Sequence, residues 1–338
     1  MKISYHSILP VQAAILLLCF SFLACNKNSN KTDGIVICTY DSFISRWGPG
    51  EEIAKRFKEQ TGTNITWKSY GDSGTLAARI LLDGKAQDAD IVLGLDQNLA
   101  EKVIQTGLFE KYDSAGFGKV LEELRSSEVL KSYAPLIPYD YSFFSIIYDS
   151  DVIANPPENL EDLTQYKNKL ILMDPGSSSP GLGFLAWTIS AYGDLWQDYW
   201  KRLKGSILTT ASGWDQGYGL FTEGEAPLVL SYTTSPAYHR EYENTDRYRA
   251  ALFSDGHPIQ IELAGIFKTS HNMEQAKKFI DFMLSESFQE LIPLGNWMYP
   301  VIDIPLPESF ALSEKPKKII WTKPVSRQEL DIWQETMR

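Results

Sequence analysis

Between Gly34 and Gly107 the chain alternates strand and helix signals three times, and this constrains the fold more than any other feature. "GIVICTY" is a short β-branched run that predicts a buried strand. "PGEEIAKRFKEQTG" follows as a helix, with Pro49 near its start, acids in its first turn and Gly62 at its end. "NITWKSY" reads as a second strand, "TLAARILLDG" as a helix stopped by Gly84, "ADIVLGL" as a third strand and "NLAEKVIQTG" as a third helix. Strand, helix, strand, helix, strand is the opening of a doubly wound parallel sheet. Such sheets bind ligands beyond the carboxyl ends of their strands.

The chain is too long for one small core: its 338 residues fit two lobes. "LIPYDYSFFSIIYDSDVI" predicts a long strand crossing into a second α/β lobe. That lobe holds "KLILMDPGSSSPG", a helix over Gly181 to Tyr192, "SILTTASGW" and "APLVLSYTTS". "PIQIELAGIFK" is the expected return strand. "NMEQAKKFIDFMLSESFQELI" predicts one amphipathic helix, with Ala276, Phe279, Ile280, Met283 and Leu284 on its apolar face. The expected organisation is lobe 1 over 35–137 plus 258–302, and lobe 2 over 138–257 plus 303–338.

The first 24 residues have the form of a signal peptide: Lys2, then the apolar run "AAILLLCFSFLA", too short to span a bilayer comfortably. Leu23-Ala24-Cys25 resembles a bacterial lipobox, which implies lipidation of Cys25; a plain secretory signal is the alternative. Residues 25–34 are polar, as a membrane tether would be. Of three cysteines, Cys19 would leave with the signal, Cys25 would carry lipid and Cys38 remains as a small buried hydrophobe, so no intrachain disulfide is expected.

A net charge of −11 argues against nucleic acid, whose binding rests on Lys and Arg neutralising phosphates. It favours a cationic ligand slightly. Four scattered His, and no HExxH, CxxC or GxSxG, leave no constellation for catalysis. The loops expected at strand ends are instead rich in aromatics, carboxylates and hydroxyls. "GSSSPGLGFLAWTIS" sets three serines before a helix, suited to an anion or to ordinary N-capping by Ser178 or Ser179. Trp47, Trp214, Tyr232 and Trp297 sit among Gly, Pro and polar residues, where they can pack a loop, stack on a flat heterocycle or hold a cation over a ring face. Asp72 would add Coulomb attraction. "VLSYTTSPAYH" leaves a strand abruptly for hydroxyls and phenols, and its Tyr232 and Tyr238 also fit a paired-tyrosine ferric site.

The stretches "TYDSF", "WGPG", "ADIVLGLDQNL", "TGLF", "SSSPGLG", "GWDQGYGLF", "LVLSYTTSPAYH", "FSDGH" and "GNWMYPV" run in order from Ile35 to Val301. Through them the chain resembles the thiamine-binding substrate-binding proteins of bacterial ABC transporters. The resemblance implies a bilobal type II periplasmic-binding fold, two doubly wound α/β lobes joined by crossing strands. It implies a monomeric, extracytoplasmic receptor without cofactor or catalysis. Its ligands would be thiamine, thiamine monophosphate and thiamine diphosphate, and its partner an ABC permease. Carried over by position, it places Asp72 and Ser73 at the ligand from lobe 1 and Ser178 and Ser179 at its hydroxyethyl or phosphate end. Trp214 would line the site. Tyr232, Thr233, Thr234 and Ser235 would form one wall. Tyr40, Trp47, Tyr238 and Trp297 would be further aromatic contacts. Two departures stand out: the lipobox, and variation around Asp72 in "YGDSG" and around Ser178 in "GSSSPG". The competing readings are a ferric-ion receptor of the same fold and a hydrolase acting on thiamine esters.

Overall fold

The computed structural model describes residues 34–338. The expected signal peptide, Cys25 and all of the tether but Gly34 lie outside the described residues.

The opening alternation forms as the sequence predicts. Strand β1 (Gly34–Thr39) leads to helix α1 (Gly50–Thr61), β2 (Asn64–Ser69), α2 (Ser73–Asp83), β3 (Ile91–Asp96) and α3 (Gln97–Ile104). Gly62 ends α1 at φ 74°, the left-handed backbone that only glycine adopts without strain. Strand β1 lies between β2 and β3, parallel to both.

Strand β4 (Ile137–Asp149) has every side chain buried except that of Tyr148. A strand covered on both faces reads as a continuous apolar run, which is why its sequence lacks alternation. The second half follows with β5 (Leu170–Met173), α4 (Ser179–Tyr192), α5 (Trp196–Leu203), β6 (Ile207–Ala211), α6 (Trp214–Thr222), β7 (Leu228–Tyr232) and β8 (Tyr248–Ala251). Helix α4 is buried along its first ten residues, so its apolar residues show no helical periodicity. Strand β9 (His257–Ile266) then returns, and is followed by α7 (Met273–Met283) and the C-terminal α8 (Arg327–Met337). Helix α8 starts on a capping box between Ser326 and Glu329, and its Trp333 packs edge-on against Trp200 of α5 at 5.6 Å.

The strands run in the order β2-β1-β3-β9-β4-β7-β5-β6. Two long strands carry the connection between the lobes. Strand β9 is antiparallel to both β3 and β4. The first half of β4 pairs with β9, and its second half with β7 and β8.

The long helix expected over Asn272 to Ile292 is broken. Helix α7 ends at Met283, Ser285 is extended (φ −94°, ψ 158°), and a short turn Glu286–Gln289 follows. The Ser285 hydroxyl takes the carbonyl of Phe282 (2.6 Å), and the break turns Gln289 inward. Buried Gln289 donates to the carbonyls of Tyr139 (2.8 Å) and Met283 (2.9 Å) and accepts from the Val301 amide (2.8 Å). The periodic apolar pattern continues across the break and conceals it.

Candidate functional site

Loops at the C-terminal ends of β1, β2, β5, β6 and β7 converge on one cleft, as open α/β sheets dictate. A cavity of about 290 Å³ opens there, with Tyr40, Trp47, Asp72, Ser73, Ser179, Trp214, Tyr232, Ser235, Glu262 and Trp297 in its walls. A second cavity of about 230 Å³ shares Trp47, Trp214, Asp215, Ser235 and Trp297 and adds Tyr218 and Tyr238. The sequence-predicted residues are therefore brought together, with three exceptions. Ser178, Thr233 and Thr234 lie behind the walls. Thr233 and Thr234 are fully buried; the Thr234 hydroxyl bonds that of Ser142 (2.9 Å), and the Thr233 amide donates to the Phe143 carbonyl (2.9 Å).

Asp72 is the N-cap of α2 and accepts four hydrogen bonds in the cleft. Its Oδ1 accepts from the amides of Ser73 (2.6 Å) and Ser179 (3.1 Å). Its Oδ2 accepts from the Trp214 amide (2.9 Å) and the Ser178 hydroxyl (3.1 Å). Three of these donors belong to the N-termini of α2, α4 and α6, where free amides and helix dipoles favour an anion. Ser178 is the N-cap residue of α4, yet its hydroxyl donates to Asp72 and makes no cap. The serine loop thus receives an anion, and that anion is the protein's own carboxylate. Burial pushes the Asp72 carboxyl up from its ordinary value, while the four donors pull it down. The contact is close throughout: a Cβ on Gly74 would lie 2.4 Å from the Ser177 carbonyl oxygen.

The aromatic walls have their own supports. The Trp214 indole donates to the Ser231 hydroxyl (2.8 Å) and stacks on Tyr218, ring centroids 5.0 Å apart and planes 17° apart. Tyr218 bonds Nε2 of buried His239 (2.9 Å), and Nδ1 of that ring meets Glu243 (2.8 Å). Burial holds the His239 imidazole below its ordinary value against the pull of Glu243. Trp47 faces Trp214 at 6.0 Å and is 41% exposed, so it is a wall with little behind it. Trp297 holds φ at 56°, a strained backbone for a bulky residue, and its ring meets Tyr238 edge-on at 5.2 Å. The hydroxyl of Tyr232 donates to Gln260 (3.1 Å), and burial together with the charge of Glu262 pushes the phenol well above its ordinary range.

Sequence reasoning missed the acid at the floor. Glu262 is 6% exposed and accepts from the Tyr40 hydroxyl (2.6 Å), the Tyr139 hydroxyl and Gln260 (3.2 Å). Burial first, then the charges of Asp96 and Asp72, pushes its carboxyl up to about 7. The signal was present, for Gln260 and Glu262 interrupt an apolar strand at alternate positions and so share one face. Asn296 was also missed; it bonds both Tyr40 (2.9 Å) and Asp140 (2.7 Å).

Comparison with known proteins agrees with this architecture. Residues 49–290 match the family model for the bacterial extracellular solute-binding protein. A "Thiamine-binding periplasmic protein" of Brucella abortus is 40% identical, over 90% of this chain and 91% of the relative. A protein of the same description from Salmonella typhimurium is 42% identical, over 83% of this chain and 85% of the relative. The solved structure of a "Periplasmic thiamin binding protein" superposes with a TM-score of 0.84 at 38% identity, covering 90% of this chain and 96% of that one. The fold is the bilobal type II periplasmic-binding fold, and the chain belongs to the family of bacterial extracellular solute-binding proteins.

Proposed function

We propose that this chain is a receptor that captures thiamine in the cleft and delivers it to an ABC importer. The observation that carries the reading is a cavity walled by Trp47, Trp214, Tyr232 and Trp297 over a buried carboxylate, Glu262. Thiamine presents a flat aminopyrimidine and a cationic thiazolium. Aromatic faces suit both rings, each cation–π contact contributing about 0.5–2 kcal/mol, and the acidic floor suits the charge. Relatives named for thiamine at about 40% identity support the same ligand. Tyr40, Ser73, Ser235 and Tyr238 complete the contacts, while Asp72, Ser178, Thr233 and Thr234 hold the walls in place. Thiamine monophosphate and diphosphate extend the reading, with Ser73 and Ser179 nearest the tail. Lobe 1 would span 35–137 plus 258–302, and lobe 2 138–257 plus 303–338, closing on the ligand as a hinged pair.

The protein would act as a monomer outside the inner membrane, tethered through lipid on Cys25 and docking on a permease. Binding rather than catalysis is supported by the partners of two buried histidines. His239 bonds Tyr218 and Glu243, and His257 bonds backbone groups of Phe144 and Phe253, so neither activates a serine. Titration with thiamine, followed by tryptophan fluorescence and calorimetry, tests the reading. Saturable quenching with one ligand per chain is expected; no fluorescence change together with no heat overturns it.

A further inference from the structure

Glu262 lies opposite Asp96 of β3 on one side and Asp140 of β4 on the other. Three carboxylates therefore stand in a row across adjacent strands at the floor of the cleft. Their partners differ. Asp96 caps α3 through the amides of Asn98 (2.8 Å) and Leu99 (3.0 Å), and its other oxygen accepts from the Ser179 hydroxyl. Glu262 is held by two phenols, Gln260 and, more distantly, Asn296 (3.5 Å). Asp140, fully buried, receives one bond from Asn296, and its Oδ1 has no partner.

The titratable groups facing Glu262 come from every neighbouring element: Tyr40 after β1, Asp72 before α2, Asp96 on β3, Tyr139 and Asp140 on β4, and Tyr232 on β7. Each is an acid or a phenol. Among the described residues no Lys, Arg or His forms an ion pair with Glu262, Asp140, Asp96 or Asp72. Two adjacent carboxylates in a low-dielectric floor with no cation cannot both ionise at neutral pH without a large penalty. Burial pushes both Asp140 and Glu262 up, and the charge of Glu262 pushes Asp140 further. Of the pair, only Glu262 reaches the cavity wall.

We propose that Glu262 is the counter-charge of the cavity for a cationic ligand, and that it shares with Asp140 one proton that passes to solvent when the ligand enters. The proposal rests on the cavity being a thiamine site. It makes Glu262 a specificity-determining residue, because a neutral ligand of the same shape would bind without expelling the proton. The test is calorimetry of the whole protein with thiamine from about pH 6 to about pH 8, in buffers of different ionisation enthalpy. Release of up to roughly one proton per thiamine is expected, with affinity rising up to about tenfold per pH unit until the pair is ionised. Glu262→Gln should weaken binding at least about tenfold and flatten the profile. Asp140→Asn should move the rise to lower pH, because it removes the neighbouring charge while keeping the site's shape. Thiamine binding with no buffer dependence and a flat wild-type profile overturns this inference alone. So does a Glu262→Gln profile as steep as the wild type. No binding at any pH overturns the thiamine reading, and this inference with it.

Discussion

Replacing Asp72 by Asn tests whether this residue works by holding the lobes together or by facing the ligand's charge. The carboxylate offers two equivalent oxygens to four donors, two on each. Asparagine offers one oxygen and one NH2 group. With its oxygen toward Ser73 and Ser179, its NH2 group faces the Trp214 amide and the Ser178 hydroxyl. The hydroxyl can rotate and accept, but the backbone N–H cannot. With the side chain flipped, the Ser73 and Ser179 amides are the ones left over. At least one buried N–H therefore loses its acceptor, at about 1–3 kcal/mol. The N-termini of α4 and α6 also lose a nearby charge, at about 0.3–1 kcal/mol each. Helix α2 itself suffers little, since Asn and Asp cap equally well. The total of about 2–5 kcal/mol falls mainly on bonds that link α2 to α4 and α6. If it acts on closure, the fraction of binding-competent protein drops and apparent affinity falls with it. The lower bound corresponds to about thirtyfold. Calorimetry gives the affinity, and small-angle scattering gives the radius of gyration, which should rise. A neutral thiamine analogue separates the two roles: closure predicts equal losses for charged and neutral ligands, direct ion pairing a loss for thiamine alone. Affinity within about threefold of wild type, with unchanged scattering, refutes the account of Asp72 as a clamp.

Further expectations concern the supports of the same cleft. Gly74→Ala places a methyl 2.4 Å from the Ser177 carbonyl oxygen, so ligand affinity should fall with little change in Tm; equal affinity would mean that α2 and the serine loop need not approach this closely. His239→Ala removes the buried partner of Tyr218 and should destabilise the fold by about 1–3 kcal/mol, with a shift of Trp214 emission as its stacking partner moves. Glu262 is pushed up to about 7 and Asp140 is raised as well, so as pH rises from about 4 the folded state binds more protons than the unfolded chain, for Glu262 up to about pH 7. Their contribution is fully present below that window and lost as pH rises through it, so Asp140→Asn should raise Tm at about pH 8 by roughly 2–4 °C and flatten the pH dependence, read by calorimetric melting.

Much of this was legible in the sequence because local signals and global fold agree. Strands β1 to β3 announce themselves through β-branched runs, and Gly62 marks the end of α1 at the position where a left-handed residue is required. The cleft residues were legible for a different reason: Trp47, Trp214, Tyr232 and Trp297 stand outside any periodic apolar face, so packing alone did not account for them. What stayed hidden depends on residues far apart in the chain. Nothing near Asp72 shows that its partners lie 106, 107 and 142 positions away. The break after Met283 was hidden because the apolar pattern continues across it, and because Tyr139, a partner of buried Gln289, lies 150 positions away. The row formed by Asp96, Glu262 and Asp140 is set by the register of β9 between β3 and β4, which no single-segment pattern specifies.

On the proposed reading, the two acidic features of the cleft would divide the work of recognition. Asp72 is an anion already satisfied by four donors, and adding a cation beside it would compete with bonds that fix three helix ends. Glu262 is an anion with phenol and amide donors and no positive partner among the described residues, so a cation there completes the site without breaking a helix contact. The buried phenols follow from the same logic. Tyr40 and Tyr139 donate to Glu262 and are held protonated by burial and by its charge. Phenols kept neutral in this way donate to the carboxylate and stabilise its charge. The floor of the cleft is therefore electrostatically suited to a diffuse organic cation lying on aromatic surfaces.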